Sequence, residues 1–233
     1  MWHLKDKVAS FVTDPFQFQV NTARPIDGIT SVRCAADDLA ICPLQISAHP
    51  PLQHQSEPID EVYVRRGDLI ATYRRASERT VRPQLVWSAA VNDGSLEIDL
   101  TIAMQTQLLA SDPSLTLVTT ARSEEVLMAV GTVEEFEFQD ASKDSSDACG
   151  LFLFRLPRCG YSYAEMIYPP DFDASRMEYR EGRLEHRLIC ETLEKGVIRK
   201  AQLRGMIVPR HQDTELAAAG FQSLRSSAPP LTT

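Results

Sequence analysis

Apolar residues at every second position over 85–91 and 96–104 are the strongest constraint on how this chain folds. A period of two is typical of a β-strand with one buried face. The alternation is interrupted once, at Asp93-Gly94, and Asp-Gly favours a two-residue hairpin turn because both positions tolerate positive φ. The predicted cross-strand pairs are Val91–Leu96, Ala89–Ile98, Trp87–Leu100 and Leu85–Ile102. The sequence therefore predicts a hairpin with one wholly apolar face.

A second hairpin is predicted over residues 62–73, with its turn at Arg66-Gly67. That turn places Val64 opposite Leu69, and we interpret Arg66-Gly67-Asp68 as turn chemistry and not as a cell-adhesion motif. The same reasoning pairs Val62 with Ala71. Further strand candidates are residues 30–35, 41–48, 115–121, 126–130, 134–138, 151–156, 161–167 and 177–179.

Many strands joined by turns, with little helix, predict an all-β fold. We expect a large antiparallel β-sandwich of the supersandwich type with one short C-terminal helix at residues 214–224, capped by Asp213. Segments 96–109 and 197–210 exceed the usual strand of about six residues. Such strands suit the large two-sheet, galactose mutarotase-like sandwiches found in carbohydrate-processing and carbohydrate-binding proteins, a comparison of fold alone.

Neither an internal repeat nor a long linker divides the chain, so we expect a single domain over residues 1–233. Residues 140–150 form the most loop-like stretch, and residues 226–233 a loose tail.

Composition indicates a folded, soluble protein, with 43% hydrophobic and 24% charged residues. A net charge of −8 argues against a nucleic-acid partner, which would require a basic surface. No apolar run approaches the roughly 20 residues of a membrane span, and charges interrupt the first residues where a signal peptide would be apolar. We therefore expect a cytoplasmic protein without a membrane partner, in an oligomeric state that the sequence does not indicate.

The five cysteines are odd in number, scattered, and never spaced as C-x-x-C, which favours reduced thiols. A Cys34–Cys42 or a Cys149–Cys159 disulfide remains the alternative.

A third hairpin is predicted with a two-residue turn at Lys195-Gly196. This register sets His186 opposite Gly205, on the apolar face. It also pairs Leu184 with Ile207, Leu188 with Leu203 and Cys190 with Ala201. Two interpretations of His186 stay open. It is either a core histidine bonded to backbone or buried water, with Gly205 making room for it, or a binding or proton-transfer group in the wall of a ligand cleft.

Five further residues are candidate ligand contacts. Arg65, Arg74 and Arg82 lie in an arginine-rich segment that could bind a carboxylate, a phosphate or an acidic sugar, or could form surface ion pairs instead. Tyr161 and Tyr163 could stack on a sugar from a loop near the sandwich edge, or serve the core. Ligand spacings for a metal, nucleotide-binding fingerprints and nucleophile motifs are absent, so we expect no metal and no cofactor.

These observations favour recognition of a small polar ligand, a carbohydrate first and a small anion second. One alternative is a sugar epimerase, mutarotase-like or lyase-like enzyme in which His186 and nearby carboxylates act as acid and base. Another is a structural or partner-binding module. An enzyme would bring titratable side chains together in one pocket, whereas a binder would present aromatic and arginine side chains on a groove.

Overall fold

A computed structural model describes residues 1–49, 59–73, 81–143, 146–189 and 191–227. The described strands are all paired antiparallel. They are β1 (Trp2–Lys5), β2 (Val8–Thr13), β3 (Phe16–Asn21), β4 (Ile29–Cys34), β5 (Asp37–Asp38), β6 (Ile41–His49), β7 (Ile59–Arg65), β8 (Asp68–Tyr73), β9 (Val81–Asn92), β10 (Ser95–Thr106), β11 (Ala110–Ser111), β12 (Ser114–Ala121), β13 (Glu125–Gly131), β14 (Phe136–Asp140), β15 (Ala148–Arg155), β16 (Tyr161–Ile167), β17 (Met177–Arg180), β18 (Arg183–Ile189), β19 (Leu193–Glu194) and β20 (Ile198–Pro209). Among the described residues there is one α-helix, α1 (Asp213–Ser226).

Two stacked sheets form the centre of the molecule. The large sheet has nine strands in the order β14-β13-β15-β16-β20-β10-β9-β8-β7, and the small sheet has four in the order β17-β18-β12-β6. Strands β1 to β5 make an N-terminal sheet, and β11 pairs with β19. The predicted all-β, sandwich-like fold with a C-terminal helix is thus confirmed.

The large sheet is buried on both faces where β15, β16 and β20 lie. On one face, Phe152 and Leu203 join the main core together with residues of the small sheet. On the other face, Phe221 of α1 packs in a second cluster with Met166 and Met206. A strand in this position needs apolar residues on both sides, which explains the near-continuous apolar run 151–154 of β15.

The first two predicted hairpins are confirmed in register. Trp87 pairs with Leu100 around a turn in which Asp93 has φ 48° and Gly94 φ 74°. Val64 pairs with Leu69 around the turn at Arg66-Gly67. In both cases the turn residues and the alternation indicate the same pairing, and both signals are local in sequence.

The third predicted hairpin is wrong, although its turn exists. The amide of Val197 donates to the carbonyl of Glu194 at 3.1 Å, but the strand before this turn is β19, which pairs with β11. β18 pairs with β12 and β17, whereas β20 pairs with β10 and β16. Cys190, the predicted partner of Ala201, lies outside the described residues. Alternation determines which face of a strand is buried and leaves its partner open, and β10 offers β20 a longer apolar face.

Other boundaries differ from the prediction. Strands β1, β2 and β3 were not predicted, and the predicted loop 140–150 is shortened because β15 begins at Ala148. The predicted tail begins inside α1, and residues 228–233 lie outside the described residues. No helix in the described part of the chain combines the length and apolar character that crossing a membrane requires.

Four of the cysteines are free thiols as predicted: Cys34, Cys42, Cys149 and Cys159. Neither the Cys34–Cys42 nor the Cys149–Cys159 disulfide therefore forms. Cys190 lies outside the residues that the structure describes.

Asp213 is the first residue of α1 and not its cap, since Gln212 holds the cap position. Its carboxylate, 3% exposed, accepts two hydrogen bonds from Arg155 at 3.0 and 3.2 Å and one from Ser162 at 2.8 Å. The helix start is thereby attached to β15 and β16. Burial opposes ionisation of Asp213, but the hydrogen bonds from Arg155 and Ser162 outweigh it and lower its pKa.

We expect Asp213→Asn to lower the free energy of unfolding by about 1 to 3 kcal/mol at neutral pH, because bonds to a charged acceptor are lost. A carboxyl with a lowered pKa in the folded state contributes stability above its unfolded pKa of about 3.9 and loses it as pH falls through the folded value. The difference between wild type and variant should therefore shrink below about pH 4. Urea unfolding at neutral pH and below about pH 4 measures this difference. Glu134→Gln is the control, because Glu134 forms an exposed ion pair with Arg225. An equal loss at both pH values would contradict the role of the charge.

Candidate functional site

His186 lies in the middle of β18 and points across the sandwich at the large sheet. Its side chain is 1% exposed, and its Nε2 lies 3.3 Å from Oε1 of Glu165 on β16. The rings of Phe152 and Phe172 pack against the imidazole, with centroid distances of 5.3 and 6.1 Å. His186 therefore occupies the interior between the two sheets.

Glu165 is a fully buried carboxylate held by two hydroxyl groups. Tyr163 Oη donates to its Oε2 at 3.0 Å, and Thr119 Oγ1 donates to the same oxygen. Burial, and then the adjacent carboxylate charge, raise the pKa of Tyr163 well above its ordinary value, so the phenol stays protonated and remains a donor. We call Thr119, Tyr163, Glu165 and His186 the buried cluster.

A β-bulge positions Thr119 for this contact. The register between β6 and β12 shifts between Val118 and Thr120, and opposite the shift Leu44 has φ 56°. The Leu44 amide donates to Thr119 Oγ1 at 3.0 Å instead of continuing the ladder. Bulges redirect side chains, and this one directs a hydroxyl at the buried carboxylate.

Gly205 does not make room for His186, contrary to the sequence interpretation. It lies on β20 between Ile98 and Glu165, and a Cβ at this position would stand 2.7 Å from Oη of Tyr163. The missing side chain thus accommodates the Tyr163 ring.

Three polar atoms of the buried cluster have no hydrogen-bond partner among the described residues: Glu165 Oε1, His186 Nδ1 and His186 Nε2. The 3.3 Å approach of Nε2 to Oε1 lacks hydrogen-bond geometry. Buried polar atoms are nearly always paired with protein, water or a ligand, so these atoms require an explanation.

A cleft of about 460 Å³ has residues of β15, β18 and β20 in its wall, and none of the four residues of the buried cluster lines it. Its polar wall is contributed by the segment after β16, by the segment between β18 and β19, and by the start of β20; the residues are Asp171, Arg176, Glu191, Arg199 and Lys200. Phe172 also lines it, and the same ring packs on His186. This half-buried aromatic side chain therefore belongs to both the cleft and the buried cluster.

The charges around the cleft are largely paired. Arg176 lies 3.2 Å from Asp173, and Arg199 donates to Glu191. Asp171 accepts from the Gln202 amide at 3.0 Å, and burial, which outweighs this bond, raises its pKa. The cleft thus presents donors and acceptors together with little net charge.

The other predicted site residues do not come together. Arg65 is exposed at the end of β7, and Arg82 is exposed on β9, 3.1 Å from Asp60. Arg74 lies outside the described residues. Strands β20 and β10 lie between β16, which carries Tyr161 and Tyr163, and the strands β9 and β7, which carry Arg82 and Arg65.

Tyr161 and Tyr163 lie in a central strand and not in an edge loop. The Tyr161 ring packs edge-on against Phe16 at 5.9 Å, and its hydrogen bond with Cys34, followed by burial, raises its pKa to about 12. Both rings therefore have core contacts, and only Tyr163 joins His186 at Glu165.

Glu165 and Thr119 were missed at the level of sequence. A signal for Glu165 was present, because alternation through Tyr161–Ile167 places it on the same face as Tyr163, where an acidic residue is unusual. Thr119 gave no comparable signal, since its role depends on the bulge. In the described part of the chain, no three His, Cys, Asp or Glu side chains are grouped so as to hold a metal ion.

No protein-family model and no curated protein matches this chain. Among solved structures, it is similar to a protein from the human microbiome named as a kojibiose phosphorylase, with a TM-score of 0.53, 8% identity, and coverage of 95% of this chain and 29% of the other. The chain thus spans less than a third of that protein, and the likeness concerns the sandwich fold.

Two further structures show weaker similarity. A galactose mutarotase-like protein from Lactobacillus casei has a TM-score of 0.46 and 9% identity, covering 86% of this chain and 100% of its own. The galactosidase domain of an alpha-galactosidase-sucrose kinase has a TM-score of 0.45 and 6% identity, covering 90% of this chain and 42% of its own.

Proposed function

We propose that this protein, as one domain over residues 1–233, recognises a small carbohydrate in the cleft beside Phe172. The observation that carries the proposal is a cleft of about 460 Å³ whose wall holds donors and acceptors side by side. Sugar hydroxyl groups both donate and accept hydrogen bonds, so they match such a wall. The volume lies in the range of about 300 to 1,000 Å³ that small-molecule sites occupy.

The charge distribution favours a neutral sugar over an anion. Arg176 and Arg199 each have an acidic partner, Asp173 and Glu191, so an incoming anion would compete with carboxylates already bound. A neutral hydroxyl can bind to either member of each pair without separating it.

Burial of the acid–base candidates favours binding over catalysis. A general acid or base must come within hydrogen-bond reach of its substrate, and with Phe172 in its present position neither His186 nor Glu165, 1% and 0% exposed, lines the cleft. A sugar-related role also agrees with the name of the phosphorylase that shares this fold, although fold alone does not determine function.

Calorimetric titration with glucose, galactose, maltose and glucose 6-phosphate tests the proposal. We expect a neutral sugar to bind, and Arg176→Ala to weaken it about tenfold through loss of a charged donor. Arg82→Ala is the matched control, since Arg82 is also exposed and paired with an aspartate but lies away from this cleft. Equal affinity of both variants would contradict the cleft as the site. Tighter binding of the phosphate ester than of every neutral sugar would overturn the ligand class.

A further inference from the structure

The buried cluster contains an unused donor beside an unused acceptor. Oε2 of Glu165 is occupied by Tyr163 and Thr119, whereas its Oε1 has no hydrogen-bond partner in the described structure. Both ring nitrogens of His186 are likewise without a partner there. A neutral imidazole always carries one N–H, so the pair offers one acceptor and one donor 3.3 Å apart.

A hydroxyl group fits such a pair. It can donate to Glu165 Oε1 and accept from the His186 N–H at once, which completes the bonding of a fully buried carboxylate. An anion would be repelled by the Glu165 carboxylate, and an apolar group would leave every polar atom as unpaired as before.

Phe172 lies between this pair and the cleft. Its ring packs on His186, lines the cleft, and lies so close to β15 that a Cβ on Gly150 would stand 2.9 Å from the ring. Phe172 follows a short 3₁₀ turn (Pro169–Asp171), and its amide donates to the Pro169 carbonyl at 3.2 Å. This one half-buried ring therefore contacts both the cleft and the buried pair.

We propose that Glu165 and His186 form an inner subsite for one hydroxyl group of the ligand, which reaches it from the cleft when the Phe172 ring turns aside. The identity of the ligand as a polyhydroxylated molecule rests on the function proposed above; the subsite itself rests on the unpaired atoms. His186 and Glu165 then determine which hydroxyl pattern the cleft accepts.

Nuclear magnetic resonance of the histidine imidazoles, with xylitol as the probe, tests this directly. The His186→Asn variant identifies the His186 cross-peaks, and the Arg199 side-chain N–H reports on the cleft. We expect xylitol to shift the His186 cross-peaks of Phe172→Ala at about one tenth of the concentration that wild type requires. Adding Glu165→Gln should raise that concentration about tenfold again, because a bond to a charged acceptor is lost. Phe172→Leu replaces Phe172→Ala if the latter fails to fold.

The outcomes separate the two proposals. Xylitol shifts at Arg199 without any at His186 in Phe172→Ala would overturn the inner subsite and leave the cleft as the binding site. Shifts at His186 alone would retain the subsite and remove the cleft. Shifts at neither would overturn both. Tetrahydropyran has five carbons and an ether oxygen but no hydroxyl group, so it can accept from the His186 N–H but cannot donate to Glu165 Oε1. It should therefore shift His186 less than xylitol does, and an equal shift by it would exclude hydroxyl recognition.

Discussion

Gly205→Ala is expected to lower the free energy of unfolding by about 2 kcal/mol or more. The new Cβ would stand 2.7 Å from Oη and 3.0 Å from Cε2 of Tyr163, distances that require a neighbour to move. Tyr163 cannot move freely, because it is 1% exposed and its hydroxyl is bonded to Glu165. Overpacking of this kind costs about 1 to 3 kcal/mol, and displacing the hydroxyl from Glu165 adds to it.

Gly160→Ala is the matched control, since its Cβ would meet nothing within 4 Å. Urea unfolding of both variants gives the comparison, and equal losses would contradict the close approach at Gly205. Combining Gly205→Ala with Tyr163→Phe removes the nearest contact atom. The double variant should therefore lose less stability than the sum of the two single variants.

The parts of the fold that could be predicted are those specified by neighbours in sequence. In the hairpin of β9 and β10, Asp93-Gly94 determines the turn while alternation on both sides determines the buried face, so the pairing of Trp87 with Leu100 follows. The N-terminal meander carried the same kind of signal, with Phe16, Phe18 and Val20 alternating on a buried face. It could have been predicted by the same reasoning.

Pairing between distant strands could not be predicted. The turn at Lys195-Gly196 is real, yet β20 pairs with β10, about a hundred residues earlier, and β18 lies in the small sheet. The alternation of β20 is compatible with either partner. Choosing between them depends on total burial across the whole sandwich, which no local pattern contains.

The buried cluster was partly predictable for the same reason. His186 and Tyr163 were visible as polar groups at buried-face positions, and Glu165 obeyed the same rule although it was overlooked. The cleft was not visible, because its wall combines the segment after β16 with residues on either side of the turn before β20. Those residues become neighbours only after the two sheets have stacked.

His186→Ala is expected to lower the free energy of unfolding by about 2 to 4 kcal/mol. The imidazole is 1% exposed and packs on Phe152 and Phe172, so its removal leaves a cavity in the interior. Glu165 Oε1 would also lose the only polar group placed near it among the described contacts. In urea unfolding, this loss should appear as a lower midpoint at unchanged slope.

Two further variants separate the causes of that loss. His3→Ala removes an exposed histidine from β1 and should change stability by no more than about 0.5 kcal/mol. His186→Leu restores much of the packed volume but not the N–H, so we expect it to lose less stability than His186→Ala. The loss that persists in His186→Leu is then due to the missing polar partner of Glu165. A midpoint for His186→Ala as little changed as that of His3→Ala would mean that few packed contacts are lost. The imidazole would then line an open cleft, and the buried position of His186 between the two sheets would be contradicted.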